Sequence, residues 1–396
     1  MKPETTLNDK RIDQGYLKDL VKQMIRIPSP SGNEKEICEF IHDELNKLGL
    51  SCTLQEVEPN RQNVVAQLDA GQSTTIMFQG HVDTIPAYQW EDAFSGNERD
   101  GCIHGRGTVD MKGAIGCVLA AIKDVIDSSI KPKKNIVLVF TVDEEVEKRG
   151  IFALMDSGIR ADMAVCCEPT NLEIAIGHKG SVPLRVSTKG KAAHGSTPDA
   201  GVNAIYRMKH VLEFFESNSK MKERSFDGIG KTHGTYNVGM IKGGDNFLLV
   251  PDWCDIWADR RTLPGETKED IKSEVQNYLE KVRTKYPDFH YEIHVNERPD
   301  WKWPRIIERG YKAVAIPPDS EIVKLASSAH RAVVGLDPAI SFLNGWTETD
   351  FLVNEMAIPT IIFGPGELHR AHSITECVSI DQLISTAEIY SHMMRF

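Results

Sequence analysis

Five residues that could hold metal ions stand far apart in the sequence: His81, Asp110, Glu145, Glu168 and His372. Four of them come after short apolar runs. TTIMFQG (74–80) leads into His81-Val82-Asp83, and NIVLVFTV (135–142) into Asp143-Glu144-Glu145. MAVCC (163–167) leads into Glu168, and PTIIFG (359–364) is followed, after a short loop, by His372. Carboxylates and imidazoles are hard and borderline donors of the kind zinc accepts. Five of them exceed what one four-coordinate zinc takes, so a carboxylate shared between two ions would account for the count.

Two spacings carry further chemistry. In extended chain, residues two apart point the same way, so Asp83 could accept the free N–H of a ligating His81 and fix its tautomer. An ordinary hydrogen-bonded histidine at a strand end is the competing reading. Glu144 and Glu145 are adjacent carboxylates, flanked by Asp143 and Glu147. In isolation they read as a solvated charge run. Directly after an apolar strand, one of the pair can bind metal while the other moves a proton from water to a leaving nitrogen.

These residues need elements to position them. The runs at 74–80, 135–142, 163–167 and 359–364 are continuously apolar, as expected of strands covered on both faces. MKGAIGCVLAAIKDVI (111–126) between the first two reads as a helix, and GIFALMDSG (150–158) as a shorter one. That alternation predicts an α/β domain with a mostly parallel central sheet, whose ligands gather at the carboxyl ends of its strands. Asp110, just before the helix at 111, can turn back to the same edge. Near the N-terminus, helical spacing runs over 15–27 and stops at Pro28. Ser31 and Glu34 are spaced as a capping box for a helix that ends at Gly49.

The grammar changes after about residue 177. SVPLRVSTKG (181–190), TYNVGMIKGG (235–244), CDIWADRR (254–261) and HYEIHVNER (290–298) read as half-exposed strands. Residues 203–217 and 266–283 read as helices. The order β-α-β-β-α-β is the ferredoxin-like signature. The expected organisation is a discontinuous catalytic domain, 1–178 and 297–396, interrupted by a lid domain at 179–296.

Composition limits the classes. The 396 residues are 41% hydrophobic and 26% charged, with a formal net charge of −11. No basic stripe marks a nucleic-acid binder. No apolar run is long enough to span a bilayer, and MKPETTLNDKRID lacks an apolar signal-peptide core. Eight cysteines without a C-x-x-C pair read as reduced thiols in a cytoplasmic protein. The Gly-rich turn GRGTVDMKG fits neither dinucleotide- nor phosphate-binding consensus.

GHVDTIPA (80–87), GRGTVDMKGA (105–114), TVDEEV (141–146), CEPT (167–170) and AHSITECV (371–378) resemble, in order, the motifs of one family. It is the co-catalytic zinc family of acetylornithine deacetylase, succinyl-diaminopimelate desuccinylase, aminoacylase and carboxypeptidase G. The resemblance implies two divalent ions, zinc first, with cobalt or manganese also suited to the mixed donors. It places His81 and Glu168 on one ion and Glu145 and His372 on the other, with Asp110 between them. Asp83 would orient His81, and Glu144 would be the general base and acid acting on metal-activated water. His194, in the block KAAHGSTPDAGVNAI (191–205), would reach the partner's active site in a homodimer formed through the lid. Arg261, in ADRRTLPGE (258–266), would meet a substrate carboxylate, with Arg260 beside it as the competing choice.

The implied reaction is hydrolysis of the amide bond of an N-acyl amino acid. A dipeptidase or carboxypeptidase of the same family is the alternative, and an inactive metal-binding protein a third reading. Three positions depart from the family pattern. Leu248 stands where an Asn often precedes Pro251, with Asn246 two residues earlier. Thr375 replaces Asn before Glu376. GWTETD (345–350) occupies a Gly-Thr-Asp or Thr-Glu-Ala position. His369 reads as a rim residue beside His372.

Overall fold

The structure is a computed structural model that describes residues 12–128, 130–299 and 301–396. The polar N-terminal stretch considered above lies almost wholly outside the described residues. Contacts divide the chain into two compact units. One is Met1–Ile176 with Ile316–Ser341 and Thr347–Phe396; the other is Gly177–Ala315 with Phe342–Trp346.

The first unit opens with helices α1 (Gln14–Ile25) and α2 (Lys35–Lys47). Strands β1 (Ser51–Glu58), β2 (Arg61–Leu68) and β3 (Thr75–His81) follow, then the short β4 (Asn97–Arg99) and β5 (Cys102–His104). Next come α3 (Lys112–Asp127), β6 (Asn135–Thr141), α4 (Arg149–Asp156), β7 (Met163–Cys166) and β8 (Ile174–His178). The central sheet runs β1-β2-β6-β3-β7, then strand Thr360–Ile362, then β8. Its middle four strands, β6, β3, β7 and Thr360–Ile362, pair in parallel, and the flanking pairs are antiparallel. This is the α/β class that the continuous apolar runs predict. β3 and β6 are buried almost throughout, so neither face offers alternation. α3 is buried on nearly every side, which explains why its sequence is apolar all round.

Two sequence expectations change here. The hairpin β1–β2 at the sheet edge was not predicted. β1 is half-exposed and carries two glutamates, and in β2 only residues 63–66 are buried, so neither gives a long continuous apolar run. Ser31 and Glu34 form no capping box, and α2 has no side-chain cap at its start. Ser31 Oγ donates instead to Asp83 at 2.6 Å, and the Glu34 carboxylate takes the Gly32 N–H at 2.8 Å and Arg61 Nε at 3.0 Å. Long-range ionic partners outcompete the local cap.

The second unit is built on β9 (Gly180–Lys189), helices α5 (Ala204–Ser217) and α6 (Lys268–Lys285), and strands Thr235–Gly243, Trp253–Thr262 and His290–Val295. The four strands form an antiparallel sheet in which Trp253–Thr262 and β9 are central. Leu184, Val186 and Ile256 pack against Met208, Phe214, Val275 and Leu279 of the helices. The arrangement is the ferredoxin-like one. The sequence puts this domain at 179–296, whereas the compact unit also takes in 297–315 and 342–346. The added chain is tied down within the unit. Ser181 N–H donates to Tyr311 O at 3.0 Å, and Tyr311 stacks on Trp346 with ring centres 4.3 Å apart.

Among the described residues, no helix is long and apolar enough to cross a membrane.

Candidate metal centre

The carboxyl ends of the parallel strands carry the chemistry. β3 ends in His81, whose backbone neighbour Val82 donates to Thr141 O at 2.9 Å. β6 ends at Thr141 and turns sharply at Asp143, a non-glycine residue with φ of 69°. Such a conformation persists only where its surroundings hold it. Arg61 Nη2 contacts Asp143 Oδ1 at 2.7 Å, and the Arg149 N–H reaches Oδ2 at 3.2 Å. The turn presents Glu144 and Glu145. Beyond β7, Cys167 N–H donates to Gln79 O at 2.8 Å, which sets Glu168 beside the end of β3. His372 comes from the loop after strand Thr360–Ile362 and also has a positive φ, 62°.

These elements bring all five candidate ligands together. His81 Nε2 lies 2.9 Å from Asp110 Oδ1 and 3.7 Å from Glu168 Oε1. His372 Nε2 lies 3.2 Å from Asp110 Oδ2 and 3.1 Å from Glu145 Oε1. The two oxygens of Asp110 therefore face different imidazoles. The donors fall into the groups His81, Asp110, Glu168 and Asp110, Glu145, His372, while His81, Glu144 and Glu145 form a third. Donors bound at roughly 2.0–2.1 Å to one tetrahedral cation sit about 3.3 Å apart, which the observed spacings bracket.

The protonation preferences point the same way. Burial and the Asp110 charge push Glu145 up to about 7 and Glu168 well above the usual carboxylate range. Burial alone would raise Asp110 too, but the imidazoles of His372 and His81 hold it below its ordinary value. His372 is pushed up to about 10 by its contacts with Asp110 and Glu145. Buried carboxylates and imidazoles brought this close repel or pair with one another according to their charge, and a cation among them would favour the charged carboxylates. Divalent cations fit this donor set.

Asp83 does more than the sequence spacing predicts. His81 Nδ1 faces the backbone carbonyl of Asp83 at 2.9 Å, with carboxylate Oδ1 farther off at 3.5 Å. The carboxylate itself accepts the N–H of Glu144 at 2.9 Å and of Glu145 at 3.0 Å. One residue thus orients His81 mainly through its main chain and the Glu144-Glu145 pair through its side chain.

Two further residues escape sequence reasoning. Lys148 Nζ lies 2.9 Å from Glu144 Oε1, and both are buried. In the sequence, Lys148 is one charge in a charged run. Glu348 is buried at 1% exposure and accepts Thr141 Oγ at 2.7 Å, with Gln79 as a second partner. It lies in the block GWTETD (345–350), whose resemblance to the family implies no such contact.

His194 and Arg261 belong to the second unit, whereas the five clustered ligands belong to the first. His194 is exposed, with Nδ1 2.7 Å from Ser196 Oγ. Burial alternates along strand Trp253–Thr262, which separates the two neighbouring arginines. Arg260 is 1% exposed and tied to Glu266, while half-exposed Arg261 points to the other face with Nε 2.6 Å from Asp259. His369 is exposed and pairs with Glu367, outside the cluster.

Residues 77–395 match the family described as Peptidase family M20/M25/M40. The chain belongs to that family. It is therefore a family M20 hydrolase, of a peptidase and amidohydrolase group. One relative is the N-formyl-4-amino-5-aminomethyl-2-methylpyrimidine deformylase of Bacillus subtilis, 29% identical over 386 residues, 91% of this chain and 88% of the relative. Among solved structures, aminopeptidase PepT from Bacillus cereus superposes with a TM-score of 0.79 at 22% identity, covering 97% of this chain and 98% of that one. The dipeptidase Dug1p from Saccharomyces cerevisiae superposes at 0.72 with 15% identity, covering 96% and 95%. A dinuclear metal-binding M20 peptidase from Bacillus subtilis superposes at 0.71 with 13% identity, covering 96% and 97%. At these identities the structural likenesses speak for the family fold.

Proposed function

We propose that this protein hydrolyses the amide bond of a small N-acylated amine, in the first place an N-acyl amino acid, with two divalent metal ions. The observation that carries the reading is Asp110, whose two carboxylate oxygens face His81 and His372 at 2.9 and 3.2 Å. His81 and Glu168 would hold one ion and Glu145 and His372 the other, with Asp110 shared. Zinc suits these donors, and cobalt or manganese would also fit. Bound there, the ions would supply Lewis acidity to the substrate carbonyl and to water.

The protein's own groups do the rest. Asp83 holds the backbone of Glu144 through its N–H, and Lys148 pairs with one oxygen of its carboxylate. Glu144 takes the proton from the attacking water and delivers it to the leaving nitrogen. Arg261, with Nε engaged by Asp259, would receive a substrate carboxylate on the remaining N–H groups of its fork. His194 would act across a homodimer at the developing oxyanion. In this reading Gly177–Ala315 serves as the lid and dimerising unit. The eight unpaired cysteines accord with a reducing, cytoplasmic setting.

Removal of a formyl group, the activity named for the Bacillus subtilis relative, is cleavage of an N-acyl bond. That favours deacylation over peptide cleavage. The test is a panel of N-formyl, N-acetyl and N-succinyl amines and amino acids beside dipeptides, assayed with zinc- or cobalt-loaded protein. Release of amine from the acyl compounds is expected. Cleavage of dipeptides alone would replace the deacylase reading with the peptidase one, and no cleavage of any amide would remove both.

A further inference from the structure

Glu376 is a fully buried carboxylate that none of the steps above uses. Its Oε1 accepts three backbone N–H groups from one loop: Gly107 at 2.9 Å, Val109 at 3.0 Å and Asp110 at 3.2 Å. Its other oxygen meets the buried guanidinium of Arg106. The main chain adds a fifth contact, Gly105 N–H to Glu376 O at 3.1 Å. Backbone N–H groups converging on one point form an anion-binding concavity, and here the anion is a side chain of the protein. Gly107 has a φ of +88°, so the loop takes a path that a side chain at this position would strain.

The two ends of this clamp matter. The clamped loop delivers Asp110, whose own N–H is one of the three donors. Glu376 lies four residues beyond His372, in the segment that delivers that imidazole. The Cys377–Ser379 strand that follows pairs with β5, next to the clamped loop. One carboxylate therefore joins the segments carrying two of the proposed ligands. Those ligands approach to 3.2 Å, although 262 positions separate them in the sequence.

We infer that Glu376 is a positioning residue that holds Asp110 and His372 at the separation needed to share one ion, making the metal site a single unit rather than two loops. This rests on the metal-site reading above. Without the carboxylate, three buried N–H groups and a guanidinium lose their acceptor, and the Asp110 loop loses its attachment to the His372 segment.

The test compares the full-length parent with Glu376→Ala, Glu376→Asp and Glu376→Gln, each stripped of metal and titrated with zinc by calorimetry and with cobalt by visible absorption. The parent should bind two ions; if it binds none, the metal-site reading itself fails before the variants are compared. Glu376→Ala should bind at least about tenfold more weakly, the scale seen when groups that orient ligands are removed, with an altered cobalt spectrum. Glu376→Asp keeps the charge but retracts the acceptor from the three N–H groups, so it should weaken binding in the same direction. It decides the matter should the alanine variant fail to fold. Glu376→Gln keeps a carbonyl acceptor for the three N–H groups but turns an N–H₂ toward the Arg106 guanidinium, so its affinity should fall between the parent and the alanine variant. A purely structural role predicts a lower Tm with unchanged affinity and spectrum in the folded protein. Parental affinity for two ions with the parental cobalt spectrum, in the alanine or aspartate variant, would overturn the inference.

Discussion

The carboxylate of Asp83 accepts the backbone N–H of Glu144 at 2.9 Å. Its second oxygen takes the Glu145 N–H at 3.0 Å and the Ser31 hydroxyl at 2.6 Å. Asp83 is fully buried, and its neighbours hold it charged, below the usual carboxylate range, against the opposing effect of burial. Replacing it by Asn turns one acceptor into an N–H₂ group that faces N–H donors. Asp83→Asn should therefore displace the Glu144-Glu145 turn, while the main-chain carbonyl that faces His81 stays in place. The expected result is zinc affinity reduced by about 10–100-fold, together with a lower kcat at saturating metal. Calorimetry and steady-state kinetics on the same preparation separate the two effects. A loss of affinity with kcat fully restored by excess zinc would mean that the Asp83 side chain holds the ligand Glu145 and not the base Glu144.

Glu144 and Lys148 form a buried pair at 2.9 Å beside the ligand cluster. A proton carrier and a metal ligand differ in what their loss leaves behind. Glu144→Gln should keep both ions and lose about 10²–10⁴-fold in kcat. Lys148→Met should also keep the ions and lower kcat by less, because the base stays in place without its partner. Metal content by elemental analysis and kcat on the best acyl substrate give the readout. An active Glu144→Gln enzyme would remove Glu144 from the proton chemistry.

Much of this site could be read in the sequence, because strand ends are conspicuous. His81, Glu145 and Glu168 follow runs whose burial leaves no polar alternation, so a charged residue at the end of such a run stands out. What could not be read was which atoms make the contacts. The spacing of His81 and Asp83 predicts a side-chain contact, but a turn in the backbone gives that place to a carbonyl. Ser31 and Glu34 have the spacing of a cap, yet each has a stronger partner more than 25 residues away in the sequence. Lys148 stands only four residues beyond Glu144, but nothing in the charged run singles it out, and Glu348 reaches Thr141 and Gln79 only through the tertiary fold. β1 is charged and half-exposed, and the buried part of β2 is only residues 63–66, too short to show a period.

Metal removal should be visible without any substrate. In the ion-free protein, Glu145 and Glu168 are buried beside the charged Asp110, and both are pushed toward protonation. Ions that bind only the folded state stabilise it by about 2.7 kcal/mol at a hundredfold excess over Kd. Chelation should accordingly lower the Tm of the first unit at pH 8, and added zinc should restore it. The gap should narrow at pH 5, where protons compete with the ions for the carboxylates and imidazoles. Calorimetric scans with and without chelator at both values test this. An equal gap at both pH values would argue that the cluster is not where the ions bind.

Glu348 offers a pH signature that does not depend on metal. Burial is the main cause pushing its carboxyl from an ordinary 4.5 to about 8; the Glu144 charge adds to the effect, and the Thr141 hydroxyl opposes it. Between those two values the folded protein keeps a proton that the unfolded chain has released. Raising the pH through this window therefore favours unfolding. The contribution of Glu348 to stability is fully present below pH 4.5, declines by at most roughly 1.4 kcal/mol per pH unit, and is gone above about pH 8. Glu348→Gln carries no such proton and keeps hydrogen-bonding groups at both ends of its amide. Relative to the parent, the metal-free variant should be close in stability at pH 5 and should gain steadily toward pH 8, then stay level. Urea midpoints at half-unit pH steps measure the difference. Parallel profiles for parent and variant would mean that Glu348 titrates in the ordinary carboxylate range, and that the Thr141 and Gln79 contacts hold it as an anion.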